Sequence, residues 1–158
     1  MTSDDHLTHR DQPGERLSFA VRDTPERDAR AVITDRLDQF NIDSTGIADN
    51  TALDVLIRDD VTGQVVGGLV GRTSLGVLFV DYFFVPASLR GKGHGSRALA
   101  MAEAEAIRRG CTASLLFTMA IQAPSFYEKH GYETFGRVEC SPPGNARIFM
   151  SKQLRSAA

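Results

Sequence analysis

The order of apolar and polar residues predicts a strand and then an amphipathic helix at the start of the chain. Residues 17–23, LSFAVRD, alternate with the period of two that a half-buried strand has. Thr24 and Pro25 follow as a helix start, since proline at the first helical position loses no hydrogen bond. The apolar residues of that helix recur at helical spacing to about residue 40: Ala29, Val32, Ile33, Leu37 and Phe40.

Three further apolar segments predict strands separated by short turns. They are TALDVLIRDD at 51–60, VVGGLVGRT at 65–73 and VLFVDYFFV at 77–85. Short turns between alternating segments are typical of an antiparallel meander. The third segment has one polar residue, Asp81, which favours burial on both faces. Pro86 ends it, because proline cannot donate to a strand ladder.

The second half of the chain alternates helices and strands. A helix at 96–109 ends at Gly110 and precedes an apolar strand at 112–119. Strand, helix and strand at this spacing predict that 77–85 and 112–119 are parallel. A short helix at 124–130 leads to strands at 132–139 and 146–153. The whole order predicts an α/β (α+β) fold, a mixed sheet with helices on it.

Composition indicates a single globular domain. The chain has 158 residues, of which 42% are hydrophobic and 24% charged. We expect a flexible tail at 1–16, one domain at 17–152 and a short tail at 153–158. The net charge of −2 gives no support for a nucleic-acid partner.

The number and spacing of the cysteines and the hydropathy of the chain indicate in which cellular compartment the protein acts. Cys111 and Cys140 stand far apart without metal-ligand spacing, which fits a reducing cytoplasm. No apolar run approaches the roughly 20 residues that cross a bilayer. The polar N-terminus lacks the apolar core of a signal peptide. We therefore expect a cytoplasmic protein with no membrane partner.

The stretch LRGKGHGSRAL at 89–99 predicts an anion site. Backbone N–H groups at a helix start lack internal partners, and the helix dipole adds positive charge there. Glycines let a ligand approach this bare backbone, and phosphate is the usual guest. The spacing fits neither the P-loop nor the dinucleotide fingerprint. The pattern that fits is Arg90-x-x-Gly93-x-Gly95, after a strand and before a helix.

Two motifs in the expected order resemble those of the GCN5-related N-acetyltransferases. The glycine loop is similar to the family's [QR]-x-x-G-x-[GA], and SFYEKHGYETFG at 125–136 is similar to its F-Y-x-x-x-G-F/Y segment. The resemblance covers about residues 17–152. It implies a mostly antiparallel sheet of six to seven strands with helices on both faces. It also implies that the fourth and fifth strands, counted from residue 17, splay apart.

The resemblance implies transfer of an acyl group from acyl-CoA, usually acetyl-CoA, to an amine in a ternary complex, without a metal. It places pyrophosphate on the loop backbone and pantetheine beside the end of the fourth strand. Many members carry an asparagine where this chain has Ile121, and Gln122 stands in for it. The implied coenzyme-binding residues are Phe84, Val85, Arg90, Gly91, Lys92, Gly93, His94, Gly95, Ser96 and Gln122.

Two residues are candidates for proton transfer. Tyr127 matches the family tyrosine that donates to the coenzyme sulfur, and a phenol is protonated at neutral pH. Asp81 is expected either to deprotonate or hold the amine, or to pair with an arginine such as Arg72. Glu103 and Glu105 are expected on a solvated helix face.

The acceptor and the assembly are the least specified features. A small-molecule primary amine is the leading acceptor, and a protein or peptide amine is the alternative. An acyl-CoA-binding sensor or scaffold without catalysis is the alternative from another class. A homodimer is expected because many members of the family form one.

Overall fold

The computed structural model describes residues 17–122 and 124–155. The chain divides into two compact units between Gln39 and Phe40. The predicted tail at 1–16, and residues 156–158 of the predicted C-terminal tail, lie outside the described residues.

The described part of the first unit contains no strand, so the strand predicted at 17–23 is wrong. Leu17, Phe19 and Val21, whose alternation produced the prediction, are all exposed. An alternating segment becomes a strand only where a neighbouring strand supplies its hydrogen bonds. No ladder of the described residues includes this segment.

Helix α1, Arg27–Thr45, begins later and ends later than predicted. Ser44 and Thr45 donate side-chain hydrogen bonds to the carbonyls of Phe40 and Asn41, and Gly46 ends the helix at φ 72°. No residue of α1 is buried. The apolar residues predicted to form its buried face remain exposed: Val32, Ile33, Leu37 and Phe40.

Six strands form one mixed sheet in the second unit, and this architecture confirms the predicted fold class. The strands are β1 Thr51–Arg58, β2 Val65–Ser74, β3 Val77–Phe84, β4 Ala113–Met119, β5 Glu133–Cys140 and β6 Asn145–Gln153. Their order across the sheet is β1-β2-β3-β4-β6-β5. β1 to β3 form the predicted antiparallel meander, and β3 and β4 are the predicted parallel pair.

Helix α2, His94–Arg108, connects β3 to β4 and contacts β1, β2 and β3. Its buried face is mostly alanine, with Leu99 as the one large buried side chain. Small residues allow the helix to lie close to the sheet, where Leu69, Leu78 and Met150 are fully buried. Helix α3, Pro124–Lys129, is short and lies between β4 and β5.

β3 and β4 separate after four paired residues. Their ladder runs from Val77 opposite Ala113 to Val80 opposite Leu116 and then stops. At the same point the β2–β3 register shifts, so that Asp81 is an extra residue in β3. A bulge of this kind bends its strand and increases the local twist, which moves the end of β3 away from β4. The predicted splay is therefore present between β3 and β4.

Candidate active site

A cavity of about 710 Å³ lies where β3 and β4 separate. The end of β3, the loop before α2, the end of β4 and helix α3 all contribute to its wall. The predicted site residues that line it are Phe84, Val85, Arg90, Gly91, Gly93, Gly95, Ser96, Gln122 and Tyr127. Residues far apart in the sequence thus meet in one pocket.

Backbone groups of β3 face the gap at this end of the sheet. The carbonyl oxygen of Phe84 points to β2, where a Cβ on Gly67 would stand 2.7 Å from it. Because successive residues of a strand direct their hydrogen-bonding groups to opposite edges, Phe83 and Val85 direct theirs to the gap. The Val85 carbonyl accepts a 2.8 Å hydrogen bond from Arg90 Nε. The N–H of Val85 is directed to the same side of the strand as this carbonyl.

The loop before α2 has the geometry of an anion site. Gly91 and Gly93 have φ of 71° and 84°, which side-chain-bearing residues rarely adopt, and a Cβ on either would enter open space. Gly93 is the N-cap of α2, and no side chain in the described part of the chain caps the helix. The N–H groups of a first helical turn have no partner within the helix, so a ligand can accept hydrogen bonds from them. The helix begins at His94, two residues before its predicted start.

The basic residues of the loop are placed differently from one another. Arg90 lines the cavity, although its Nε is engaged by the Val85 carbonyl. Lys92 is exposed and His94 is half-buried, and neither is part of the cavity wall. Gly95 packs closely, since a Cβ there would stand 3.4 Å from the Phe126 ring.

Gln122 lies at the opposite wall, just after β4. Its Oε1 accepts hydrogen bonds from Thr118 Oγ1 and from the Met119 N–H, each at 3.2 Å. Those bonds fix the carboxamide and leave its N–H₂ group available to donate to a ligand carbonyl. Gln122 therefore presents a fixed carboxamide to the cavity, and its part in coenzyme binding stays a prediction.

Tyr127 forms the buried wall of the cavity. It is 9% exposed, and its ring lies 6.4 Å from that of Phe83 and 5.1 Å from that of Phe126. Burial raises the pKa of its hydroxyl to about 12. Within the described residues this hydroxyl has no hydrogen-bond partner. Tyr127 therefore carries a neutral hydroxyl, and its ring lies among aromatic residues that also line the cavity.

Asp81 does not line the cavity. Both of its carboxylate oxygens accept from Arg72 Nη1 at 2.9 Å, and the Arg72 guanidinium lies over the Phe79 ring at 4.6 Å. The sequence left two roles open for Asp81. This arrangement favours pairing with Arg72 over a role as general base or amine anchor.

Sequence reasoning gave no site role to several cavity residues. Phe126 is one of them, and Phe83, which precedes the predicted Phe84, also lines the pocket. Lys129 and His130 line it too, and His130 Nδ1 donates to the Phe126 carbonyl at 2.7 Å. The spacing of Phe126 and His130, which lie four residues apart on α3 and the turn that follows it, was the signal that could have identified them.

Two features are absent from residues 17–122 and 124–155. No group of three or more His, Cys, Asp or Glu side chains there could hold a metal ion. None of the helices in these ranges is long and apolar enough to cross a membrane.

Comparison with known proteins places the chain in a family. The model of the acetyltransferase (GNAT) family matches residues 18–132. An acetyltransferase of Agrobacterium fabrum is 35% identical over 87% of this chain and all of its own length. Blasticidin-S acetyltransferase of Streptomyces morookaense is 41% identical over 58% of this chain and 68% of its own.

A solved structure agrees with these relatives. A crystal structure described as an acetyltransferase from Agrobacterium tumefaciens superposes with a TM-score of 0.79 at 35% identity, covering 87% of this chain and 99% of that one. The chain belongs to the GNAT acetyltransferase family, and it is an acyl-CoA-dependent N-acetyltransferase.

Proposed function

We propose that this protein transfers an acetyl group from acetyl-CoA to the primary amine of a small molecule. One observation carries the proposal. One cavity is lined by the end of β3, which is unpaired on its β4 side, by the start of α2, which no described side chain caps, and by Tyr127, whose hydroxyl is protonated. These supply a place for an extended arm, a place for phosphate and a proton donor.

The residues of the cavity fit acetyl-CoA. The loop from Gly91 to Ser96 would hold pyrophosphate through backbone N–H groups, because its glycines keep side chains out of the way. Phe83 and Val85 would bond the pantetheine arm in the gap, and Gln122 would donate to one of its carbonyls. Lys92 and His94 do not line the cavity, so they would contact the coenzyme only at the edge of the loop.

The reaction has a balanced course. The amine nitrogen attacks the thioester carbon, and the Val85 N–H donates to the oxygen that becomes negative. The carbon–sulfur bond breaks, and Tyr127 gives its proton to the leaving thiolate. The attacking amine loses a proton to water, and Tyr127 is reprotonated from solvent. Free coenzyme A and an amide result.

A small-molecule acceptor is supported by one of the relatives. Blasticidin-S acetyltransferase is named for a small-molecule substrate, and its similarity to this chain reaches 41%. Acetylation of a protein or peptide amine is the alternative. Measuring thiol release with small amines and with peptides distinguishes the two.

The experiment measures free thiol release from acetyl-CoA with small amines and with peptides bearing a free N-terminus. Tyr127→Phe should lower kcat by roughly 10²-fold, since loss of a general acid typically costs 10²–10⁴-fold. Tyr82→Phe is the matched control, because Tyr82 is exposed on β3 and does not line the cavity. Release with peptides alone would favour the alternative acceptor. Coenzyme binding without release for any amine would favour a sensor.

Two expectations accompany this proposal. We expect the protein to act in the cytoplasm and to form a homodimer. Light scattering of the purified protein tests the second, and a mass of about 17 kDa rather than twice that value would contradict it.

A further inference from the structure

Four polar side chains form a cluster beside Tyr127, outside the cavity wall. The Tyr132 hydroxyl donates to Ser114 Oγ at 2.8 Å. Lys152 Nζ donates to Glu103 Oε2 at 2.6 Å and lies 5.6 Å from the centre of the Tyr132 ring. Ser114 and Lys152 face each other in the β4–β6 pairing. We call Glu103, Ser114, Tyr132 and Lys152 the polar cluster.

The polar cluster has a buried half and a half-buried half. Ser114 is fully buried and Tyr132 is 2% exposed, while the side chains of Glu103 and Lys152 are 13% and 24% exposed. Glu103 Oε1 is buried without a hydrogen-bond partner in the described part of the chain. Removing charged groups from water has a cost that an ion pair repays only in part. Fold stability alone is therefore a weak reason for this half-buried pair.

Tyr132 connects the polar cluster to Tyr127 in two ways. Its N–H donates to the Tyr127 carbonyl at 3.1 Å, and the two rings meet edge to face at 5.8 Å. The late motif accepts Phe or Tyr at this position, so the hydroxyl is not required by the motif. In this chain the hydroxyl reaches Ser114 on β4. Burial raises its pKa, so it stays protonated and remains a donor.

The elements that the polar cluster joins are those of the active site. Glu103 lies on α2, whose first turn faces the cavity, and Ser114 lies on β4, which borders the gap. Tyr132 lies three residues after the end of α3, the helix that carries Tyr127, and immediately before β5. A rigid link between α2, β4 and Tyr127 would fix the distance from the tyrosine hydroxyl to a coenzyme held at the start of α2.

We propose that the polar cluster positions Tyr127 for proton donation, with Tyr132 as the positioning residue. The inference rests on the proposed role of Tyr127 as the acid. Small displacements of a catalytic group cost much in rate, because proton transfer depends steeply on distance and angle. Coenzyme binding uses the loop and the backbone of β3, so the polar cluster should affect kcat and leave coenzyme affinity unchanged.

A double-mutant cycle tests this inference. Tyr132→Phe keeps the ring and removes the hydroxyl, and we expect it to lower kcat by roughly tenfold. Calorimetry should give the same Kd for coenzyme A in both proteins. In the Tyr127→Phe background, Tyr132→Phe should have no further effect on kcat, since it acts through the lost hydroxyl.

Ser114→Ala and Glu103→Gln are independent variants, which keep the test open if Tyr132→Phe folds poorly. Each should lower kcat and lose its effect in the Tyr127→Phe background. Glu105→Gln is the control for Glu103→Gln, because Glu105 lies on the same helix and pairs with Arg108 and Arg109, not with the polar cluster, so kcat should stay unchanged.

The outcomes separate the two proposals. An unchanged kcat in all the cluster variants, beside a large effect of Tyr127→Phe, overturns the positioning role alone. If the cluster variants lower kcat equally in the parent protein and in the Tyr127→Phe background, the positioning role is also overturned, because the effect then does not act through the Tyr127 hydroxyl. An unchanged kcat in Tyr127→Phe itself overturns the acid role and the positioning role with it.

Discussion

Tyr127 shows how one residue can serve both the core and the reaction. Its ring packs among Phe83, Phe126 and Tyr132, and the same side chain lines the cavity. The burial that makes the ring a good packing element also raises the pKa of the hydroxyl to about 12. Protonation is therefore secured by the same contacts that hold the side chain in place.

Stability should fall as the pH rises from 10 towards 12. The hydroxyl of Tyr127 loses its proton near pH 10.0 in the unfolded chain but near pH 12 in the folded one, so the folded state binds more protons between these values. Each pH unit in that window costs up to about 1.4 kcal/mol. Urea unfolding at several alkaline pH values measures the slope. A slope equally steep in Tyr127→Phe would contradict the assignment.

Asp81→Asn tests whether this carboxylate acts in the reaction. Its ion pair with Arg72 is largely exposed, so the free energy of unfolding should change by less than about 1 kcal/mol. We expect kcat to stay close to that of the parent protein, because Asp81 does not line the cavity. A decrease in kcat of roughly 10²-fold or more is the usual effect of removing a general base. Such a decrease would contradict this prediction and indicate that Asp81 takes part in the reaction.

At the scale of elements, the separation of β3 and β4 depends on the close approach of β2. Gly71 lies opposite the bulge, where a Cβ would stand 2.2 Å from the Phe79 carbonyl oxygen. Only glycine permits this approach without a shift of the backbone. The extra residue in β3 and the missing side chain in β2 thus work together to open the sheet.

Gly71→Ala should destabilise the protein by about 1–3 kcal/mol, the usual cost of inserting an atom into packed structure. It should also weaken coenzyme A binding, because β3 must move where it borders the gap. Chemical denaturation and calorimetry measure the two effects. Gly136→Ala is the control, since its Cβ would make an ordinary 3.5 Å contact with Phe149. Equal effects of the two substitutions would contradict the role of Gly71.

The sequence predicted those elements that local pattern determines. Alternation located β1 to β3, and the strand–helix–strand spacing predicted the parallel pair. The strand at 17–23 failed because pairing depends on a neighbour that local pattern does not reveal. The bulge at Asp81 is visible only against its partner strand. Glu103 was expected to face solvent beside Glu105, and only the tertiary structure brings Lys152 to it.

Resemblance to a family predicted the site where pattern could not. The motif residues Gly91, Gly93 and Tyr127 line the cavity, and so does Gln122, which stands where this chain departs from the family pattern. The bond from Arg90 to the Val85 carbonyl was not foreseen, because it joins a side chain to backbone across a loop whose conformation the sequence does not fix.

For the molecule as a whole, coenzyme binding and stability are linked. A ligand that binds only the folded state stabilises it by about 2.7 kcal/mol when present at 100 times its Kd. Acetyl-CoA should therefore raise Tm. Gly93→Ala should reduce this rise, because the new Cβ enters the open space above the loop.

Gly63→Ala is the matched control for that experiment. Gly63 also has positive φ, 70°, and open space around its Cβ position, but it lies in the turn between β1 and β2. Both substitutions should cost roughly 1–2 kcal/mol through backbone strain. Only Gly93→Ala should diminish the rise in Tm with acetyl-CoA, and an equal reduction in both would contradict the loop assignment.

The gap between β3 and β4 has a consequence for how such a protein can diverge. It is an edge inside a sheet, and its hydrogen-bonding groups belong to the main chain. Substitution of side chains leaves those groups unchanged, so recognition of the donor can persist while the sequence drifts. Change is then concentrated in the side chains that meet the acceptor. A sheet that is open at its centre allows one donor to be kept through many choices of substrate.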